Sequence, residues 1–166
     1  MKESSRKAIH IILRVLFVIY LVMMVYFLFF SERFGRVPSD SYHYNLKPFT
    51  EISRYLSYID AIGIKNVLIN LLGNVVCFMP LGFMLPVLSQ RKWKLVRTTL
   101  LSCLASVIVE LTQLISKLGS CDVDDVFMNT LGGFLGYILF LVCSKIYYYW
   151  KKILEKKVSD KSITPL

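Results

Sequence analysis

The chain has 166 residues, of which 55% are hydrophobic and 14% are aromatic, and its mean hydropathy is +0.56. This composition is too apolar for an ordinary soluble domain of this length and predicts a membrane protein. The formal net charge is +9. We attribute this charge to membrane topology and to anionic lipid, so it does not indicate a nucleic-acid partner.

Four apolar stretches are long enough to cross about 30 Å of hydrocarbon, which takes roughly 20 helical residues. They are residues 11–30, 63–88, 95–118 and 126–150. The first stretch is too long for a signal-peptide core and ends in bulky aromatic residues, so we expect it to be retained. The sequence therefore predicts an all-α polytopic membrane protein. Its four-transmembrane-helix bundle, at 11–150, lies between an N-terminal segment at 1–10 and a basic tail at 151–166.

The basic residues are distributed unevenly around these spans. Fourteen of the 20 Lys and Arg residues fall in the N-terminal part, in the link between the second and third spans, or in the tail. The other six fall on the opposite side. Because positively charged links stay in the cytoplasm, we expect both termini to be cytoplasmic.

The link between the first two spans contains a predicted amphipathic helix. Thr50 can cap this helix, and apolar residues then recur with the i, i+3, i+4 and i+7 spacing of one helical face. These residues are Ile52, Tyr55, Leu56 and Ile59. The pattern fits a helix that lies in the outer headgroup plane, and it equally fits a loop helix packed on the bundle.

Three asparagines occupy one face of the outer half of the second span. Asn66, Asn70 and Asn74 are four residues apart, so their side chains follow one stripe of the helix. Pro80 and Pro86 come next and predict a kink. The amides could join helices to one another, but three amides on one stripe favour a polar site.

An acid and an amide lie near the outer end of the third span. Glu110 and Gln113 are three residues apart and share one face. A carboxyl group at this depth must be protonated, paired or placed in a wet cavity. Lys117 could pair with Glu110 or reach the headgroups, so both a structural pair and a functional cavity fit this pattern.

Three aspartates precede or begin the fourth span, at positions 122, 124 and 125. We expect one of them to cap the helix and the other two to interact with its dipole. Asp125 shares one helical face with Asn129, Gly132 and Gly136. The two glycines predict close helix packing. Capping does not explain Asn129, which favours a polar pocket.

The polar residues of three spans lie at one depth, and this predicts a pocket that opens to the outside. The candidate ligand-binding residues are Asn70, Asn74, Glu110, Gln113, Asp122, Asp125 and Asn129. The four cysteines and two histidines form no metal-type spacing. We therefore expect neither a metal site nor a cofactor.

Taken in order, these motifs resemble the VanZ-like family of small multi-pass membrane proteins. The resemblance rests on NLKPF at 45–49, NLLGNVVCFMPLG at 70–82, Glu110 with Gln113, and DVDDVFMNTLGGFLG at 122–136. Many members carry an arginine shortly before the aspartates. This chain has KLGSC there, so Lys117 would have to take the place of that arginine.

The resemblance implies a bacterial plasma-membrane protein that is connected with low-level resistance to teicoplanin and related lipoglycopeptide antibiotics. It does not imply a catalytic mechanism.

Three functions fit the residues. The first, which we favour, is a non-enzymatic envelope protein whose pocket binds a membrane lipid, a cell-wall precursor or a lipoglycopeptide-like amphiphile. The second is a membrane-embedded hydrolase or transferase that uses Glu110 and the aspartates, with or without a divalent cation. The third is a small transporter. It is disfavoured because the sequence shows no inverted repeat and no matching polar groups in the inner half.

The charge distribution predicts which positions a membrane-impermeant thiol reagent reaches in intact cells. Cys121 and Ser41→Cys should react, because both fall on the side with fewer basic residues. Ser159→Cys should react only after the membrane is permeabilised. Labelling of Ser159→Cys in intact cells would invert the topology and place the pocket in the cytoplasm.

Overall fold

A computed structural model describes the backbone of residues 3–30, 41–90 and 92–162. Residues 31–40 lie outside the described part, and they include two of the six basic residues assigned to the outer side. The elements in chain order are α1 (Glu3–Phe30), β1 (His43–Asn45), α2 (Thr50–Ser57), α3 (Ile59–Ile62), α4 (Ile64–Leu88), α5 (Leu95–Ser116), β2 (Ser120–Asp122) and α6 (Val123–Ser162).

Among the described residues, four helices are long and apolar enough to cross a membrane. They are Lys7–Phe30 within α1, the whole of α4, the whole of α5, and Val123–Lys156 within α6. This confirms the predicted all-α architecture with four spans. α4 continues through Pro80 and Pro86 without interruption.

The fourth span and the start of the tail share one helix. α6 is a single helix of 40 residues, so the helix continues past residue 150. No proline or glycine follows Gly136 within α6. Lys151 and Glu155 also form an i, i+4 ion pair at 3.7 Å, which is a spacing that supports helix.

Glycines of α6 make the closest contacts with α4. A Cβ atom built on Gly132 would overlap the carbonyl oxygen of Val75, and one built on Gly136 would overlap that of Met79. The two backbones can touch because these side chains are missing, as is common between membrane helices. The predicted packing role of both glycines is confirmed.

α5 turns a polar face toward the interior of the bundle. The residues on this face are Thr98, Ser102, Ser106, Glu110 and Gln113, and each is at most 2% exposed. A Cβ atom on Gly133 would overlap the side chain of Ser102, so small residues bring α5 close to α6. The Ser102 hydroxyl donates to the carbonyl oxygen of Thr98 at 3.0 Å.

Thr98, Ser102 and Ser106 place three hydroxyl groups in the packed interior of the bundle, and all three residues are fully buried. A hydroxyl group can return a hydrogen bond to its own helix, as Ser102 does, and for that reason it can lie in an apolar interior.

α1 closes one side of the apolar core. Its residues Met24 and Leu28 are buried against Phe78, Leu81 and Val109, which belong to α4 and α5. α1 packs against the apolar core of the bundle through these two buried side chains.

Two short strands pair at the end of the bundle where α4 and α6 begin and α5 ends, and we call this the sheet end. β1 and β2 run parallel, with Tyr44 opposite Cys121 and Asn45 opposite Asp122. The pairing joins the link after α1 to the turn between α5 and α6. The sequence did not predict it, because strands of three residues carry no periodic signal.

Replacing Gly136 with valine should force α6 away from α4, because the new side chain meets backbone atoms that cannot move aside. Overpacking of this kind costs about 3 kcal/mol. We expect the thermal midpoint of the detergent-solubilised protein, measured by size-exclusion chromatography after heating, to fall by several degrees. Cys143→Val, at an exposed position of the same helix, is the control. Equal midpoints for the two variants would contradict the packing role.

Candidate functional site

A cavity of about 350 Å³ opens at the sheet end, between α2, α4, the two strands and the first turn of α6. Four carboxylates line it, namely Glu51, Asp122, Asp124 and Asp125. Two amides of α4, Asn70 and Asn74, face the same space, together with Arg54 and His43. Among the described residues of the lining, one guanidinium stands against four acids, and this balance favours a positively charged occupant.

Asp122 is the residue at which three elements meet. Its backbone N–H donates to Oε2 of Glu110 at 2.9 Å. Its carboxylate accepts the backbone N–H of Asp124 at 2.8 Å, which makes Asp122 the N-cap of α6. The Asn45 amide lies 3.3 and 3.4 Å from its two carboxylate oxygens. The expectation that one of the three aspartates caps the helix is confirmed.

Asp124 caps a different helix. Its Oδ1 accepts the backbone N–H of Phe49 at 2.5 Å, and its Oδ2 accepts those of Glu51 and Ile52 at 2.9 and 3.2 Å. These donors start α2 and have no partner within that helix. The carboxylate therefore satisfies them and attaches α2 to the start of α6.

The prediction that Thr50 caps the amphipathic helix is wrong. Thr50 is the first residue of α2, and its hydroxyl donates to the carbonyl oxygen of Lys47 at 2.9 Å. Phe49 holds the N-cap position with φ 64° and ψ 10°. This left-handed conformation is uncommon for a residue with a side chain, and it accompanies the hydrogen bond to Asp124.

Asp125 faces the cavity and α4 together. Its Oδ1 accepts a hydrogen bond from Nδ2 of Asn74 at 2.5 Å. Asn74 is 7% exposed. The contact joins the second span to the fourth.

The remaining charges come from α2. Arg54 and Glu51 form an i, i+3 ion pair with 2.5 Å between Nη2 and Oε2. Burial raises the pKa of the Glu51 carboxyl, and the charges of Asp122 and Asp124 raise it further, while Arg54 opposes the shift. Glu51 therefore takes up a proton more readily than an exposed glutamate does.

The turn before α6 shows the same electrostatic pattern. Burial raises the pKa of Asp122, and the charge of Asp124 adds to this, while hydrogen bonds from Asp124 and Asn45 oppose it. Burial also raises the pKa of the Cys121 thiol, with additional effects from Glu110, Asp122 and Asp125. In all three groups burial is the largest cause of the raised pKa, and neighbouring carboxylates add to it.

Four of the seven predicted site residues line the cavity and three do not. Asn70, Asn74, Asp122 and Asp125 face it. Glu110, Gln113 and Asn129 are at most 2% exposed and lie within the helix packing. The reason is that the inner face of α5 points toward α1 and α6, so the third span contributes no residue to the cavity.

The buried amides join helices to one another. Nε2 of Gln113 donates to the carbonyl oxygen of Leu28 in α1 at 2.7 Å. Nδ2 of Asn129 donates to the Ser106 hydroxyl in α5 at 2.8 Å.

The asparagine stripe of α4 divides into two parts. The side chains of Asn66 and Asn70 donate to the carbonyl oxygens of Ile62 and Asn66, one turn earlier, at 2.7 and 2.9 Å. Within the part of the chain that the structure describes, Asn74 is the one of the three whose side chain bonds to another helix, through Asp125 of α6. Asn70 also belongs to the cavity lining.

Lys117 was considered as a partner of Glu110 and as a substitute for the arginine of the family motif. Its Nζ lies 4.9 Å from the ring centroid of Tyr42, in the range of a cation–π contact. Lys117 therefore meets the segment that leads into β1.

The predicted site residues left out three charged lining residues, Glu51, Arg54 and Asp124, and the polar lining residues His43 and Ser120. The sequence offered one signal for this side of the cavity. NLKPF at 45–49 was part of the family resemblance, and it directly precedes α2, which carries Glu51 and Arg54. Within the described residues, no three His, Cys, Asp or Glu side chains are grouped closely enough to hold a metal ion.

Comparisons with known proteins cover both the spans and the sheet end. A protein-family model described as VanZ/LLP1 matches residues 17–144. Protein VanZ from Enterococcus faecium is similar to this chain, with 30% identity over 138 residues, which are 81% of this chain and 77% of the relative. No solved structure matches significantly.

Removing the Asp124 carboxylate should release α2 from the bundle. In Asp124→Ala, three backbone donors lose their acceptor, and a charge-assisted bond contributes about 1.5–3 kcal/mol. We expect amide hydrogen exchange in α2 to accelerate at least about tenfold, while exchange in the centre of α4 is unchanged. Asp60→Asn, at an exposed position in α3, is the control. Unchanged exchange in α2 would show that Asp124 does not hold it.

Proposed function

This chain belongs to the VanZ/LLP1 family, and from that premise we propose that its acidic cavity opens to the outside of a bacterial plasma membrane. There it binds the positively charged head of an amphiphile, which is a membrane lipid, a cell-wall precursor or a lipoglycopeptide. The binding contributes to resistance against teicoplanin and related antibiotics.

One observation carries this proposal, which is the excess of acids in a cavity that also offers neutral amides. Four carboxylates face one guanidinium in about 350 Å³. A carboxylate pairs with an ammonium group, and amides bond to sugar or peptide groups. The combination suits a ligand with an amine and several hydroxyl or amide groups.

The acids of the cavity are not equivalent. The carboxylate oxygens of Asp124 accept hydrogen bonds from three backbone N–H groups. The Asp122 carboxylate accepts hydrogen bonds from the Asp124 backbone and the Asn45 side chain. Glu51 is paired with Arg54. Asp125 lines the cavity beside Asn70 and Asn74. It therefore offers a carboxylate next to two amides, and we assign the contact with the ligand's cation to Asp125.

An apolar surface for the rest of an amphiphile lies beside the acids. Phe49, whose backbone bonds to Asp124, packs its ring against Phe127 with 6.1 Å between centroids. The two side chains are 60% and 53% exposed. Exposed aromatic rings at the end of a span suit the boundary between headgroup and hydrocarbon.

The direction in which the cavity faces follows from the basic residues. Fourteen of 20 belong to the opposite side of the spans, so the positive-inside rule places the sheet end outside and both termini inside. A cavity that opens to the outside can be reached by lipoglycopeptides and by late cell-wall intermediates.

A second candidate function is acid–base catalysis at the same cavity. It is favoured by the raised pKa of Glu51 and of Asp122, since a carboxyl group titrating closer to neutral pH can deliver a proton. A hydrolase or transferase of this kind would consume a lipid-linked substrate, whereas a binding protein would return it unchanged.

The teicoplanin susceptibility of a sensitive Gram-positive host that expresses the protein tests the proposal. Asp125→Asn should lower the minimum inhibitory concentration to that of the empty vector, because an amide cannot pair with an ammonium group. Asn70→Ala should do the same without loss of the fold, since its donor bonds only within α4.

Asp60→Asn supplies the control, because it removes a carboxylate at the same end that does not line the cavity. Immunoblots of the membrane fraction verify that each variant accumulates. Full resistance in both Asp125→Asn and Asn70→Ala would refute the binding role. Mass spectrometry of lipid extracts that shows a lipid-linked species consumed only by the parent protein would favour the enzyme.

A further inference from the structure

A second cavity, of about 570 Å³, lies at the opposite end of the bundle from the acidic one. It is formed by the link after α4 and the first half of α5. Among its described lining residues, Lys92, Lys94 and Arg97 are basic and Trp93 is the one aromatic residue. Nothing in the proposed binding of a cation at the sheet end uses this cavity.

The basic side chains of this cavity are organised around the tryptophan. The Arg97 guanidinium carbon lies 4.9 Å from the centroid of the Trp93 ring, which is the geometry of a cation–π contact. Lys92 and Lys94 are exposed on either side of Trp93 in the chain. Trp93 therefore holds one cation next to two exposed ones, and the described residues of the cavity lining include no acid.

The N-terminal end of α5 adds to the positive electrostatic potential of this cavity. Lys94 is the N-cap, and within the described residues no side chain bonds to the free N–H groups of the first turn. The N-terminal end of a helix carries a partial positive charge and attracts anions. Three cationic side chains and this dipole act on one small space.

The rest of the cavity is an apolar track along α5. Val96, Leu100, Leu101 and Leu104 form it, and Val96, Leu100 and Leu104 are 68%, 63% and 55% exposed. At 1.5 Å per residue the track is about 12 Å long. An acyl chain fits such a track, whereas a free phosphate or a nucleotide would leave it uncovered.

We propose that this cavity is a binding site for one anionic phospholipid. The phosphodiester lies among Lys92, Lys94, Arg97 and the first turn of α5, and one acyl chain follows Val96, Leu100, Leu101 and Leu104. Charge complementarity selects the anionic headgroup, and the continuous apolar track selects a lipid over a soluble anion.

Contact quenching of tryptophan fluorescence tests this assignment, because the chain has two tryptophans and one lines the cavity. The protein carrying Trp150→Phe is reconstituted into phosphatidylcholine vesicles that contain increasing fractions of dibrominated phosphatidylglycerol. A second series contains dibrominated phosphatidylcholine. We expect phosphatidylglycerol to be enriched about tenfold over phosphatidylcholine next to Trp93, as several close cations would produce.

Matched charge variants separate a site from a general surface potential. Lys92→Gln/Lys94→Gln should reduce the enrichment to about twofold or less. Lys151→Gln/Lys152→Gln removes the same charge from an exposed part of α6 near the same end and should leave the enrichment intact. Arg97→Gln should act like the first variant, with the unbrominated vesicles correcting for any change in the fluorescence of Trp93.

Three results would overturn the proposal. One is equal quenching by the two brominated lipids in the parent protein. Another is an equal loss of phosphatidylglycerol enrichment in the Lys92/Lys94 and Lys151/Lys152 double variants. That result would show only a diffuse attraction between the basic protein surface and anionic lipid. The third is displacement of brominated phosphatidylglycerol by millimolar inorganic phosphate, which would show a site for a soluble anion. The readout does not depend on teicoplanin resistance, so failure here leaves the acidic cavity unaffected.

Discussion

Carboxylates at the boundary of the hydrocarbon must be given hydrogen-bond donors, and the sheet end of this protein is built around that constraint. Glu110 in α5 accepts the backbone N–H of Asp122, Asp122 accepts that of Asp124, and Asp124 accepts three donors at the start of α2. Each acid is satisfied by the backbone of the next element. The result is a continuous series of contacts from the third span to the link after the first span.

The acidic cavity exists because of this series. The parallel pairing of β1 with β2 brings the Asn45 segment beside the turn that carries the aspartates, and Asp124 then fixes the start of α2 across the opening. Residues that turn the chain into α6 are thus also the residues that line the cavity. Within this group of acids, Asp122 and Asp124 cap helices, while Asp125 faces α4 and the cavity.

The interior of the bundle sets the distances on which the cavity depends. Gly132 and Gly136 let α6 touch the backbone of α4, and Gly133 lets it approach Ser102 of α5. At this separation the short side chain of Asn74 reaches Asp125 directly. Larger residues at the glycines would widen the gap, and the amide and the acid would then need a bridging water.

The sequence by itself determined the number of spans, the family resemblance and the group of acids, because length, hydropathy and motif order are local properties of the chain. It also placed Asn74 and Asp125 on the polar parts of their helices. Only the tertiary structure decided that Glu110, Gln113 and Asn129 are buried between helices while Asn70, Asn74, Asp122 and Asp125 face a cavity. Helical spacing shows which residues share a face, but not which neighbour that face meets. The pairing of Asn45 with Asp122 spans 77 residues, and no local pattern encodes a contact that forms only when the helices have packed.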